Sequence, residues 1–282
     1  MGQEVHRRVC DEYYFPRLSP NYRPVQAGLI YKDIKMSVST PVVNAGFKYI
    51  NGMRLAYVSA TTMTVAAGQC RNSTDVNDIT IDSAITINTA VNGAAGLDQG
   101  SMANDTFYAV YAIADSLKNN AASALISADL SSPLLPGGYN MYFRIGYIKS
   151  SGAAAILPFR QDGVSVDRWM WYDAPIATDI TNGSSATYAA VDASGGLPSS
   201  TATMVNWYCK FTPTAGDDAL VLVPGTSTAA LGYATMSGSV AAVVKTGNLI
   251  CPTDSPNTDA IDYKVTGSAV AISVAAYLDQ LG

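Results

Sequence analysis

Trp169 and Trp171, two residues apart, and seventeen tyrosines are the side chains of this sequence best suited to chemistry. That chemistry is contact rather than bond-making, because an aromatic face stacks on a sugar ring or anchors a protein interface. Tyr142, Tyr147, Tyr188, Tyr233 and the Trp169/Trp171 pair are candidates for reading a glycan, with core filling and cross-strand pairing the alternative for most strand aromatics. Trp169, Trp171, Tyr188 and Tyr233 form the surface-recognition set. A second group, Tyr13, Tyr14, Phe15 and Tyr22 with Arg17, has the residue types that dominate interface energetics, and it is the candidate docking set.

Acid–base chemistry has few carriers. Glu4, Glu12 and His6 are the only Glu and His residues, all within the first twelve positions. A Ser/His/Asp relay would have to borrow His6, and there is no Gly-x-Ser-x-Gly, nucleotide-binding glycine loop or His-Glu-x-x-His. A two-carboxylate glycosidase would have to use aspartates alone. Those aspartates, among them Asp75, Asp78, Asp162, Asp173 and Asp218, lie mostly beside Gly, Asn, Ser or Thr in predicted turns, where Asp caps backbone groups, and nothing selects a pair. Cys10, Cys70, Cys209 and Cys251 are far apart and form no metal-ligand spacing. They read as reduced, half-buried residues, with a Cys209–Cys251 bridge left open. No catalytic residue, metal or cofactor is expected.

The elements that must carry the aromatics are strands. The body is rich in Thr, Val, Ile, Tyr, Ala, Ser, Asn and Gly, the composition of short strands and tight turns. Charged residues make up 14% of the chain, against about 25% in an average protein, and the net charge is −5. Without clustered Lys and Arg a nucleic-acid partner is not expected. No apolar run is long enough to span a membrane, and the N-terminus does not read as a signal peptide, so membrane insertion and export are not expected.

Residues 1–35 hold six Lys/Arg, four Asp/Glu and prolines at 16, 20 and 24, whereas the rest carries eleven basic and eighteen acidic residues. Proline at that spacing forbids a continuous helix, so the segment reads as an extended docking arm. Alternation then takes over: Asp78-Ile-Thr-Ile and Ile85-Thr-Ile-Asn read as half-buried strands, and Phe107-Tyr-Ala-Val-Tyr-Ala-Ile-Ala as a central strand covered on both faces. The pattern lapses through 164–173. Residues 36–160 are therefore expected as a first β-sandwich domain, 161–175 as a linker holding the tryptophan pair, and 176–282 as a C-terminal jelly-roll-like domain. Its last two runs, 261–265 and 269–278, are separated by Thr-Gly-Ser and predict a hairpin.

Three further stretches are Asn51-Gly-Met-Arg-Leu-Ala-Tyr-Val-Ser-Ala-Thr-Thr-Met-Thr-Val-Ala-Ala-Gly, Asn92-Gly-Ala-Ala-Gly-Leu-Asp-Gln-Gly-Ser and Leu135-Pro-Gly-Gly-Tyr. In this order, with the strand at 107–113, they make residues 41–160 resemble a module of tail-fibre and other virion structural proteins of tailed bacteriophages. Residues 261–278 are similar to the final hairpin of a jelly-roll module in the same proteins. The resemblance implies a virion component assembled in the host cytoplasm, homo-oligomeric and most often trimeric. Its N-terminal segment would attach to tail or capsid proteins, and its β domains would project toward host-surface glycan. A carbohydrate-binding adhesin and a polysaccharide-degrading enzyme are the alternatives.

Overall fold

The computed structural model of the chain describes residues 49–163, 165–198, 202–214, 218–224, 234–238, 240–253, 260–266 and 268–281. Among these there is no helix, and the protein is all-β. The first strands are β1 (Ile50–Gly52), β2 (Leu55–Tyr57), β3 (Thr62–Val65), β4 (Gly68–Arg71), β5 (Asp78–Ile81) and β6 (Ile85–Asn88). Next come β7 (Gly96–Leu97), β8 (Phe107–Ala114), β9 (Ser123–Ser127), β10 (Met141–Lys149), β11 (Phe159–Asp162) and β12 (Asp167–Ala177). The remainder are β13 (Ala189–Asp192), β14 (Ala202–Thr212), β15 (Asp218–Pro224), β16 (Ala234–Gly238), β17 (Lys245–Pro252), β18 (Ala260–Val265) and β19 (Ser268–Gln280).

They form four sheets, in the orders β1-β4-β5, β10-β8-β9-β7, β13-β18-β15-β16 and, the largest, β17-β14-β19-β12-β11-β2-β3-β6. Period-2 burial shows why the sequence takes these shapes. In β5, Ile79 and Ile81 are buried while Asp78 and Thr80 are exposed. In β8 both faces are covered. Tyr108, Val110, Ala112 and Ala114 join the main core, while Ala109, Tyr111 and Ile113 form a second cluster with Leu125 and Tyr147.

Two sequence expectations need correction. Residues 161–175 are not a linker: most of that stretch is the end of β11 and the bulk of β12, inside a sheet whose strands come from both sides of it. The alternation vanished from view because its polarity is inverted, with Arg168 and Met170 buried inside and Trp169 and Trp171 on the outer side. Nor do the last two runs make a hairpin. Their alternation is real, with Ile261, Tyr263 and Val265 buried and Val270, Ile272 and Val274 buried. However, β18 pairs with β13 and β15, whereas β19 pairs with β12 and β14 in the other sheet. The short connection therefore carries the chain from one sheet to another, and the two apolar faces share one core cluster instead of one ladder.

A buried polar hub ties early strands to the last one. The Gln161 side-chain carbonyl accepts from the Leu55 N–H (2.8 Å) and from Arg168 Nη1 (3.2 Å), and its amide donates to the Ile145 carbonyl (3.2 Å). Arg168, fully buried, also donates to the Ser165, Met53 and Gly52 carbonyls. Burial pulls its guanidinium down to about 10, so it stays protonated at neutral pH. It faces Asp279 in the ladder, and Arg144 of β10 reaches the same carboxylate.

Candidate functional site

The outer face of the eight-stranded sheet carries the tryptophan pair. Ladder register puts one residue from each strand in a row across it: Ile250, Asn206, Ala276, Trp171, Arg160, Ala56, Thr64 and Thr86. Side chains opposite one another in an antiparallel ladder share a face, so Arg160 stands beside Trp171 and Asp162 beside Trp169. The two indole rings are 5.8 Å apart at a tilt of 35°, and the Arg160 guanidinium lies 5.7 Å from the Trp171 ring centroid. Asp162 accepts an ion pair from Arg160 at 2.8 Å and a looser one from Arg54 at 3.9 Å.

Next to Trp171 the sheet opens into a cleft of about 510 Å³, lined by Tyr57, Phe159, Arg160, Trp171, Tyr172 and Asp173 beside Pro158. Its position follows from Pro175. That residue has no N–H for the ladder, and the register between β12 and β19 shifts between Trp171 and Ile176. On the other side the Asp173 N–H bonds the Pro158 carbonyl (3.1 Å), which continues the β11–β12 pairing one residue past Tyr172, and Asp173 lines the cleft. Tyr57 packs edge-on against Phe159 at 6.4 Å. Tyr172 turns inward, donates to the Gly196 carbonyl (2.9 Å) and lies 6.1 Å from the Tyr277 ring. Burial pushes its hydroxyl far above the ordinary phenol range, so it remains a donor.

Two polar atoms in the transverse row have no hydrogen-bond partner and are shielded from water: Trp171 Nε1, a donor, and Asn206 Oδ1, an acceptor. Asn206 is 6% exposed although it lies on the outer face.

Of the residues singled out from the sequence, Trp169 and Trp171 come together, and Trp171 lines the cleft. Tyr188 does not: it precedes β13, which belongs to a different sheet, and its ring has Lys264 Nζ 6.0 Å away. Tyr13, Tyr14, Phe15, Arg17, Tyr22 and Tyr233 lie outside the described residues. Tyr147 is core, 2% exposed under the Arg144 guanidinium. Sequence reasoning missed Tyr57 and Arg160, and held Asp173 only among the aspartates of predicted turns. The usable signal was Pro175 shortly after the aromatic run 169–172, which marks a bulge.

Cys70, Cys209 and Cys251 are free and fully buried. Cys209 stands opposite Gly247, four residues from Cys251, which by strand rise is roughly 13 Å along the ladder and too far for a disulfide. Among the described residues no group of three His, Cys, Asp or Glu side chains is placed to hold a metal ion.

No protein-family model, curated protein or solved structure compared with the chain matches it.

Proposed function

We propose that this chain is a structural, binding subunit of a tailed-phage virion, of the fibre or decoration type. Residues 1–35 anchor it to tail or capsid proteins, and the β body, read as sandwich-like layers, is displayed as part of a homo-oligomer. The observation that supports this best is the outward Trp169/Trp171/Arg160 group. It gathers the residue types most enriched in binding hot spots on the outer side of the largest sheet, with the two indoles half-buried and Arg160 exposed.

The test is deletion of residues 1–35. The expected product folds, keeps the spectroscopic signature of an all-β protein, and no longer incorporates into particles. Incorporation at the level of the intact chain overturns the anchoring role.

A further inference from the structure

We propose that the cavity between β5 and the β8–β9 connection is a recognition site for an arginine side chain presented by a partner peptide. It shares no lining residue with the cleft beside Trp171, and its occupation requires no particle around the protein.

The cavity, about 570 Å³, has two polar walls and a small apolar floor. One wall is the polar face of β4 and β5, where the ladder sets Gln69 beside Thr80 and Arg71 beside Asp78, with Asp82 just past the end of β5. The other is the connection from Asp115 to Ala122, and Ala114 and Met141, opposite one another in the ladder, are buried as the floor. The second wall is braced from within. Asp115 accepts from the N–H groups of Leu117 (2.9 Å) and Asn119 (3.0 Å), the Ser116 N–H donates to Asn140 (2.9 Å), and the Tyr139 hydroxyl donates to the Ala121 carbonyl (3.1 Å). A wall already in place spares the ligand the cost of ordering it.

Internal bonds of the lining consume donors and leave acceptors. Gln69 spends its amide on Asp78 (3.2 Å) and Asn120 on the Gly138 carbonyl (3.1 Å), so the side-chain oxygens of both remain as acceptors. The carboxylates of Asp78, Asp82 and Asp115 add to them, against one ammonium, Lys118. Arg71 compensates Asp78 at 3.1 Å, whereas Asp82 makes no ion pair among the described residues. A lining rich in acceptors and in surplus negative charge selects a cation that carries donors only. A guanidinium has five in a planar fork, whereas an anionic group is repelled there.

Size and surroundings point to a side chain on a peptide rather than a bare ion. The volume falls inside the usual range of roughly 300–1,000 Å³ for organic ligands, and among the described residues no three carboxylates are placed to hold a metal ion. Val76, next to the lining residue Asn77, is 68% exposed, and Leu117, between Ser116 and Lys118, is 75% exposed. One aliphatic side chain thus stands exposed beside each wall. Together they offer apolar contact to the methylene stem of an arginine and to the residues flanking it. Lys118 is the lining's own cation and competes with the incoming one, so removing its charge strengthens binding.

The test titrates the full chain with a capped peptide, Ala-Val-Arg-Val-Ala, and follows binding by calorimetry. The same peptide with citrulline, the neutral isostere of arginine, and calcium chloride alone are the controls. The arginine peptide is expected to saturate, with the citrulline peptide at least about tenfold weaker. Asp82→Asn should weaken arginine binding several-fold and Lys118→Gln should tighten it several-fold, both with unchanged melting temperature because both side chains are exposed. No saturable binding of the arginine peptide overturns the proposal, as does equal binding of the citrulline peptide or binding that both variants leave unchanged. Calcium binding that Asp82→Asn abolishes, with the peptide silent, makes the cavity an ion site and refutes the proposal as well.

Discussion

Arg144 Nη1 lies 2.7 Å from Asp279 Oδ1, joining β10 to β19 across 135 residues of sequence. The arginine also donates to the Gln280 carbonyl at 3.0 Å, and Arg168 faces the same carboxylate in the ladder. Burial pushes the Asp279 carboxyl above its ordinary range, and the Arg144 and Arg168 guanidiniums beside it oppose that shift. The ladders to β12 and β14 hold the final strand in the largest sheet, and this contact ties its end to the β10-β8-β9-β7 sheet.

Removing one partner leaves the other charge buried without compensation. Asp279→Asn and Arg144→Met are each expected to lower stability by about 3–5 kcal/mol. The double variant Arg144→Met/Asp279→Leu should lose less than the sum of the two. Urea unfolding of the three proteins measures this, and additive losses would show that the two side chains act separately.

Gly146 sits where the hub comes closest to β10. A Cβ there would meet Gln161 Nε2 and Leu55 Cδ1, each at 2.8 Å, and neither can withdraw without breaking the hub or the core. Gly146→Ala is therefore expected to destabilise the fold by about 1–3 kcal/mol, the usual cost of overpacking. A wild-type unfolding midpoint would mean that the hub yields.

Burial pushes the thiols of Cys70, Cys209 and Cys251 up to about 12 from the ordinary 9. Between those values the unfolded chain releases protons that the folded chain retains. Stability should thus be full below pH 9 and fall as pH rises from 9 toward 12. In a Cys10→Ser background a thiol reagent at pH 8 should label none of the three until denaturant is added. Rapid labelling of the native protein contradicts the burial.

The Arg160–Asp162 pair is exposed, with side-chain exposures of 66% and 40%. Such pairs contribute little to stability, so a double-mutant cycle on it should return well under about 1 kcal/mol. Its role is to orient the guanidinium at the cleft. A large coupling energy would make the pair part of the fold's support.

Local sequence announced the strands whose faces obey the ordinary code. Ile79 and Ile81 read as buried, and so did the doubly covered run at β8, because their polarity alone decides which side meets water. What stayed hidden depends on partners distant in sequence. β12 carries an arginine inward, which is tolerable because the Gly52 and Met53 carbonyls, more than a hundred residues away, accept hydrogen bonds from it alongside Ser165 and Gln161. The same inversion turned Trp169 and Trp171 outward, so they read as a contact pair but not as part of a strand. The pairing of β18 and β19 was misread because alternation says which residues are buried, not against which sheet. Arg160 and Asp173 carry no signal of their own, since a ladder register and a proline bulge bring them to the indole.

The central claim is that the body is displayed on a particle with its tryptophan face available for contact. Imaging purified particles with an antibody raised against residues 44–282 tests it most directly. The account predicts label at regular positions on the head or tail surface, lost when residues 1–35 are deleted. Particles that carry no label while the host lysate contains the protein would contradict it.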